Sequence, residues 1–113
     1  MKIAYLHETI VRKNSDDCIV TEYPKLDEAM DFAIVKVSAR YPEFNRAVNL
    51  ECNEIVFVKS GQGKVVVEEK EYLLNAGDIV LIEAGEKFYW DGKMELCISC
   101  RPSFKKEQHR YVL

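Results

Sequence analysis

Short apolar runs separated by turn-forming residues dominate the chain. Residues 19–23 open with three β-branched side chains and end at Pro24, and residues 32–38 form a second β-branched run closed by Tyr41-Pro42. Both predict strands, with a turn or a single helical turn over residues 25–30 between them. Residues 54–59 and 64–68 flank Gly61-Gln62-Gly63, which predicts a hairpin. Further on, Glu69-Lys70-Glu71 leads into residues 72–74, Asn75-Ala76-Gly77-Asp78 into residues 79–82, and Ala84-Gly85-Glu86-Lys87 into residues 88–90. Asp91-Gly92 predicts a break before a last strand over residues 94–100, stopped by Pro102. Turns this frequent between runs this short predict an all-β, antiparallel sandwich or barrel. Ile55 and Phe57 are apolar, but so are Val56 and Val58, so both faces of that strand need cover. A homodimer is the expected source of the outer layer.

The 113 residues fit a single domain over 1–113, and 48% hydrophobic residues suffice for a packed core. The net charge of 16 − 19 = −3 is spread along the chain, with no basic face of the kind that binds nucleic acid. The first eight residues lack a secretory pattern, and no apolar run is long enough to span a membrane. Neither nucleic acid nor membrane is an expected partner, and the expected compartment is the cytoplasm. Cys18, Cys52, Cys97 and Cys100 are then expected as free thiols. Cys97 and Cys100 have the spacing of a redox or zinc half-site, but no second pair accompanies them. They read as small buried hydrophobes.

Glu54 is followed by six residues and Gly61; Gly77 is followed by five residues, Glu83, one residue and Gly85. With these spacings the segment 54–92 resembles the core of the cupin family, in which Pro is usual where Glu83 stands. The resemblance implies a single-domain jelly-roll β-barrel. It also implies a metal cage of two His ahead of the motif Glu, that Glu, and a third His in the second motif. Here the first two positions fall on Ala47 and Asn49 or on Val48 and Leu50, and the third on Phe88. Only Glu54 survives, and the two histidines, His7 and His109, lie outside the motifs. Neither a metal nor another cofactor is therefore expected, because transition-metal affinity needs several imidazoles at once. The weaker alternative is a rebuilt metal site from Cys52, Glu54 and His109 with Asn49, opposed by the polar tail around His109.

A carboxylate inside the barrel needs a partner or a proton. The Tyr89 hydroxyl and the Trp90 indole are the donors nearest in sequence, and Phe88 and Trp90 share parity. The expected ligand-binding residues are Glu54, Asn49, Val56, Phe88 and Trp90, with Val58 beside them, enclosing an unidentified small molecule. The competing reading is that the aromatics only fill space left by the missing histidines. The basic run at Arg101, Lys105 and Lys106 reads as a solvated tail rather than an anion site. The leading expectation is a metal-independent module that binds a small molecule or serves a sensory or accessory role. The alternative is an isomerase or lyase acting on a small sugar or acid with Glu54 as general acid or base. A metal-dependent oxygenase ranks third. One carboxylate without a placed partner does not decide between binding and catalysis.

Overall fold

A computed structural model describes all 113 residues. Nine strands follow one another: β1 (Ile10–Ser15), β2 (Cys18–Glu22), β3 (Ala33–Val37), β4 (Arg46–Asn49), β5 (Asn53–Val67), β6 (Lys70–Asn75), β7 (Ile79–Ile82), β8 (Lys87–Arg101) and β9 (His109–Val112). All pairings are antiparallel, in the order β1-β2-β3-β8-β4-β9, while β5 pairs with β6, β7 and β8. The sheet curls into a barrel, as the glycine spacings and strand lengths predict. No helix is long and apolar enough to cross a membrane.

Two sequence expectations fail for one reason. The predicted hairpin at Gly61-Gln62-Gly63 does not exist: β5 runs through it as a single 15-residue strand. Nor does Asp91-Gly92 break β8, which also has 15 residues. The two strands pair along their whole length, with a register shift between Val58 and Ser60. A Cβ on Gly61 would sit 2.0 Å from the Lys93 carbonyl oxygen, and one on Gly92 would sit 2.5 Å from the Gly63 Cα. These glycines permit close backbone approach inside a ladder, not a reversal. Strands β1, β4 and β9 have no sequence counterpart above; they are short and partly polar, and β1 and β9 sit at the two ends of the ladder.

Even-numbered residues of β8 point inward, as do those of β5 up to Val58; past the register shift the inward positions of β5 are odd-numbered. Val56, Val58, Val65 and Leu96 are fully enclosed, and Ile82, Leu74 and Met94 complete the packing around them. The loop before β3 is pinned to the end of β8 by Asp31. Its Oδ1 accepts the Cys100 N–H and its Oδ2 the Phe104 N–H, each at 2.7 Å. That clamp holds the open end of the barrel together.

Candidate functional site

A cavity of about 170 Å³ lies inside the barrel. Val35, Phe88, Trp90 and Ile98 form apolar wall, Glu54, Tyr41, Cys100 and His109 add polar atoms, and Arg12, Tyr23 and Lys25 also border it. Glu54 comes from β5, opposite Cys100 on β8. It is 7% exposed, and its one hydrogen bond within the protein comes from Asn49 Nδ2 to Oε1 at 2.8 Å. Burial pushes its carboxyl up to about 7; the Asn49 bond opposes this and the Asp31 charge adds to it. Asn49 sits behind Glu54 at 1% exposure.

Asn49 is itself held from β9, directly across the ladder from His109. Its Oδ1 lies 3.1 Å from Gln108 Nε2 and 2.7 Å from His109 Nδ1. Gln108 in turn accepts the Glu51 and Cys52 N–H groups on Oε1, at 3.1 and 3.3 Å. The His109 ring packs against Phe104 and edge-on to Tyr111, with centroids 5.5 and 5.2 Å apart. Burial, helped by the Arg12 charge, lowers its pKa to about 4, so the imidazole is neutral at physiological pH. Glu54 Oε2 and His109 Nε2 make no bond within the protein. Neither is sealed away, since the Ser103 hydroxyl is the one buried side-chain polar atom without a partner.

The remaining groups are spoken for. The Tyr41 hydroxyl meets that of Tyr111 at 2.6 Å, and burial raises its pKa. Arg12 pairs with Glu22 and also touches Asn14 at 3.3 Å. Cys100 hydrogen-bonds to the Cys52 thiol, which together with burial holds it far above the usual thiol range.

Of the residues singled out in the sequence, Glu54, Phe88 and Trp90 line the cavity, whereas Asn49 reaches it only through Glu54 and His109. Val56 and Val58 are enclosed in the packed core beside it. Tyr89 does not serve Glu54: it faces outward, with the Arg40 guanidinium 3.8 Å above its ring. Trp90 packs edge-on to Phe88. Cys97 and Cys100 are three apart on one strand, so their side chains leave opposite faces and cannot hold one ion. The tail after Pro102 is not simply solvated. Lys105 and Lys106 are exposed, but Ser103 and Gln108 are buried and Phe104 borders the cavity. Gln108, His109 and Asp31 carried no motif; their only sequence signal was that His109 is one of two histidines.

The family model for the cupin domain matches residues 49–97. Pac13, a nucleoside dehydratase, superposes with a TM-score of 0.88 at 20% identity, over 99% of this chain and 91% of that one. The chain has the cupin fold, and its residues 49–97 carry the match to the cupin domain. A Streptomyces PAC13 variant with uridine matches this chain at a TM-score of 0.88 and 20% identity, over 100% and 92% of the two chains. KdgF from Halomonas sp. matches at 0.75 and 12% identity, over 95% and 97%. No curated protein matches the sequence.

The fold also settles which residues occupy the family's imidazole positions. Ala47 faces Phe88 across β4 and β8 and Asn49 bonds Glu54, whereas Leu50 is 53% exposed. The pair is therefore Ala47 and Asn49. The donor set does not fit a metal cage. No three His, Cys, Asp or Glu side chains converge at ligand spacing, His109 Nδ1 is committed to Asn49, and Cys52 is committed to Cys100. The rebuilt site from Cys52, Glu54 and His109 is thereby set aside.

Proposed function

We propose that this protein is a metal-independent acid–base enzyme, a lyase or isomerase, in which Glu54 exchanges a proton with a small molecule held in the barrel. The observation that carries the reading is the state of Glu54: one oxygen is fixed by Asn49 and the other is open to a mostly apolar cavity. A carboxyl titrating near 7 is poised to act as donor or acceptor at physiological pH. Between about pH 4 and about pH 7 Glu54 is a neutral acid while His109 is a neutral base. Eliminations and isomerisations need that combination: one group removes a proton from carbon, the other protonates the departing or rearranging oxygen. The shared fold with Pac13, a nucleoside dehydratase, supports the reaction class by analogy.

Size narrows the substrate. A cavity near 170 Å³ compares with the roughly 150 Å³ engineered cavity that accommodates benzene, so it takes one ring. A nucleoside would leave its second ring among Arg12, Tyr23 and Lys25. Incubation with single-ring sugars, short hydroxy acids and uridine, followed by mass spectrometry, tests the reading. Glu54→Gln is expected to reduce turnover on the order of 10²–10⁴-fold with the fold intact. A variant as active as the parent would sink it.

The aromatic and aliphatic walls favour a second reading, a binding or sensory module. Under it, native mass spectrometry finds a retained ligand that the protein leaves unchanged. We also propose a homodimer through the outer face of the sheet. There Ile79, Phe57, Cys97, Ile34, Thr21 and Val11 form one row across six strands by register. Light scattering at micromolar concentration tests it, and a monomeric mass counts against it.

A further inference from the structure

Gln108 touches neither the cavity nor Glu54, yet its hydrogen bonds decide how the polar end of the cavity is protonated. Two backbone N–H groups, of Glu51 and Cys52, point at one atom of its amide. That atom has to be the oxygen, so the Gln108 nitrogen is the donor toward Asn49. The Asn49 atom receiving it has to be Oδ1, which leaves Asn49 Nδ2 as the donor to Glu54. The same Oδ1 lies 2.7 Å from His109 Nδ1. A carbonyl oxygen cannot donate, so Nδ1 carries the imidazole proton. His109 Nε2 is then an unprotonated lone pair without a protein partner, on a ring that lines the cavity. The orientation is transmitted from main chain to Gln108, to Asn49, to His109, with no free choice along the way.

We propose that Gln108 and Asn49 are positioning residues that lock His109 in the Nδ1-protonated tautomer. The cavity therefore recognises a single-ring ligand that offers a hydroxyl or N–H donor to His109 Nε2. The ligand class rests on the reading of the barrel as a small-molecule site; the tautomer does not. The ring size follows from the cavity of about 170 Å³ and its apolar walls. The donor requirement follows from His109 Nε2, which only accepts; Glu54 Oε2 accepts when the carboxyl is ionised and can donate when it is protonated.

Nitrogen-15 NMR of the histidine side chains in the full chain tests this without any substrate. In the wild type at pH 7, His109 Nδ1 is expected to resonate as a protonated nitrogen and Nε2 as an unprotonated one. In Gln108→Glu the new carboxylate still accepts the two backbone N–H groups but has nothing to donate. The Asn49 amide then turns over and gives its N–H groups to the carboxylate and to His109 Nδ1, so Nε2 gains the proton. A substitution acting only on packing would leave the tautomer alone. Phenol and benzene serve as the ligand probes. Phenol is expected to bind wild type about tenfold tighter than benzene, one hydrogen bond's worth, and to move the Nε2 resonance. Gln108→Glu is expected to narrow that difference, because phenol can then only accept from Nε2–H through its weakly basic oxygen.

A wild-type Nε2 that carries the proton overturns the proposal, and so does an unchanged tautomer in folded Gln108→Glu. Phenol binding no tighter than benzene overturns the ligand class. Should the variant fail to fold, the wild-type spectrum and the two probes still decide both parts. A protein that meets these expectations but converts no substrate refutes the enzymatic reading alone.

Discussion

On β5, Glu54 points into the barrel while Ile55 and Phe57, at 48% and 43% exposure, point out. A sheet with one wet face normally shows the reverse. Following the register outward from β5, the outer face stays apolar through Ile79 and Leu81 on β7, with Cys97 on β8 and Ile34 on β3 continuing it on the other side. Inward, the same strands enclose Val56, Val58 and Leu96 and then give way at one end to Glu54 and Cys100. The contrast separates two kinds of hydrophobic residue. Those inside are balanced by close packing that a single chain completes. Those outside gain nothing from this chain alone, which is why association is the proposed use of that face. The buried carboxylate is the opposite case: it costs stability, and a site is the reason offered for tolerating it.

Truncating the inside gives the largest expected effect. Leu96→Ala should cost about 2–5 kcal/mol in chemical denaturation, while Ile55→Ala in dilute monomer should cost about 1 kcal/mol. Equal costs would break the comparison between the faces.

Next is Glu54→Gln, which keeps an oxygen for the Asn49 donor. The Glu54 carboxyl is raised from 4.5 to about 7 on folding, so the native state prefers its protonated form. Stability from this group is complete below pH 4.5 and is lost as pH rises through 7. The variant should therefore unfold about 3 kcal/mol less readily than wild type at pH 8 and almost identically at pH 4. A pH-independent difference would mean that Glu54 is not desolvated.

His109 moves in the other direction. Its pKa falls from 6.5 to about 4, so the stability it contributes is present above 6.5 and lost as pH drops through 4. Removing the titration with His109→Gln should flatten the acid limb of stability by about 3 kcal/mol, read from thermal melts between pH 7 and pH 4. The smallest effect on folding belongs to Phe57→Lys. It should shift unfolding of dilute protein by less than about 1 kcal/mol yet convert a dimer to a monomer in light scattering. A dimer that survives the charge would place the interface elsewhere.

Much of this was legible along the chain. Apolar, β-branched runs and turn residues marked β2, β3, β7 and the bodies of β5 and β8, and the spacings from Glu54 to Gly61 and from Gly77 to Gly85 pointed to the barrel. The inward parity of Glu54, Phe88 and Trp90 followed from the same counting. Where reading failed, one residue type had two uses. Gly61, Gly63 and Gly92 look like turn residues, but they make room for a neighbouring backbone within a ladder. The partner of Glu54 was sought in Tyr89 and Trp90, nearby in the motif, and was found in Asn49.

What the sequence determined by itself is the set of absences and periods: one carboxylate where the family has four ligands, and strands whose alternation fixes what faces in. Period-two geometry is local, so it can be read from a single strand. What only the tertiary structure decided is the company Glu54 keeps. Pairing of β4 with β9 brings Asn49 opposite His109, 60 residues further along, and the Gln108 amide completes the set. Such a network depends on long-range register and on which donor meets which acceptor, and neither leaves a periodic trace in the chain. The missing imidazoles are thus replaced by an amide-linked acid and base, and one of these comes from a tail that looked solvated.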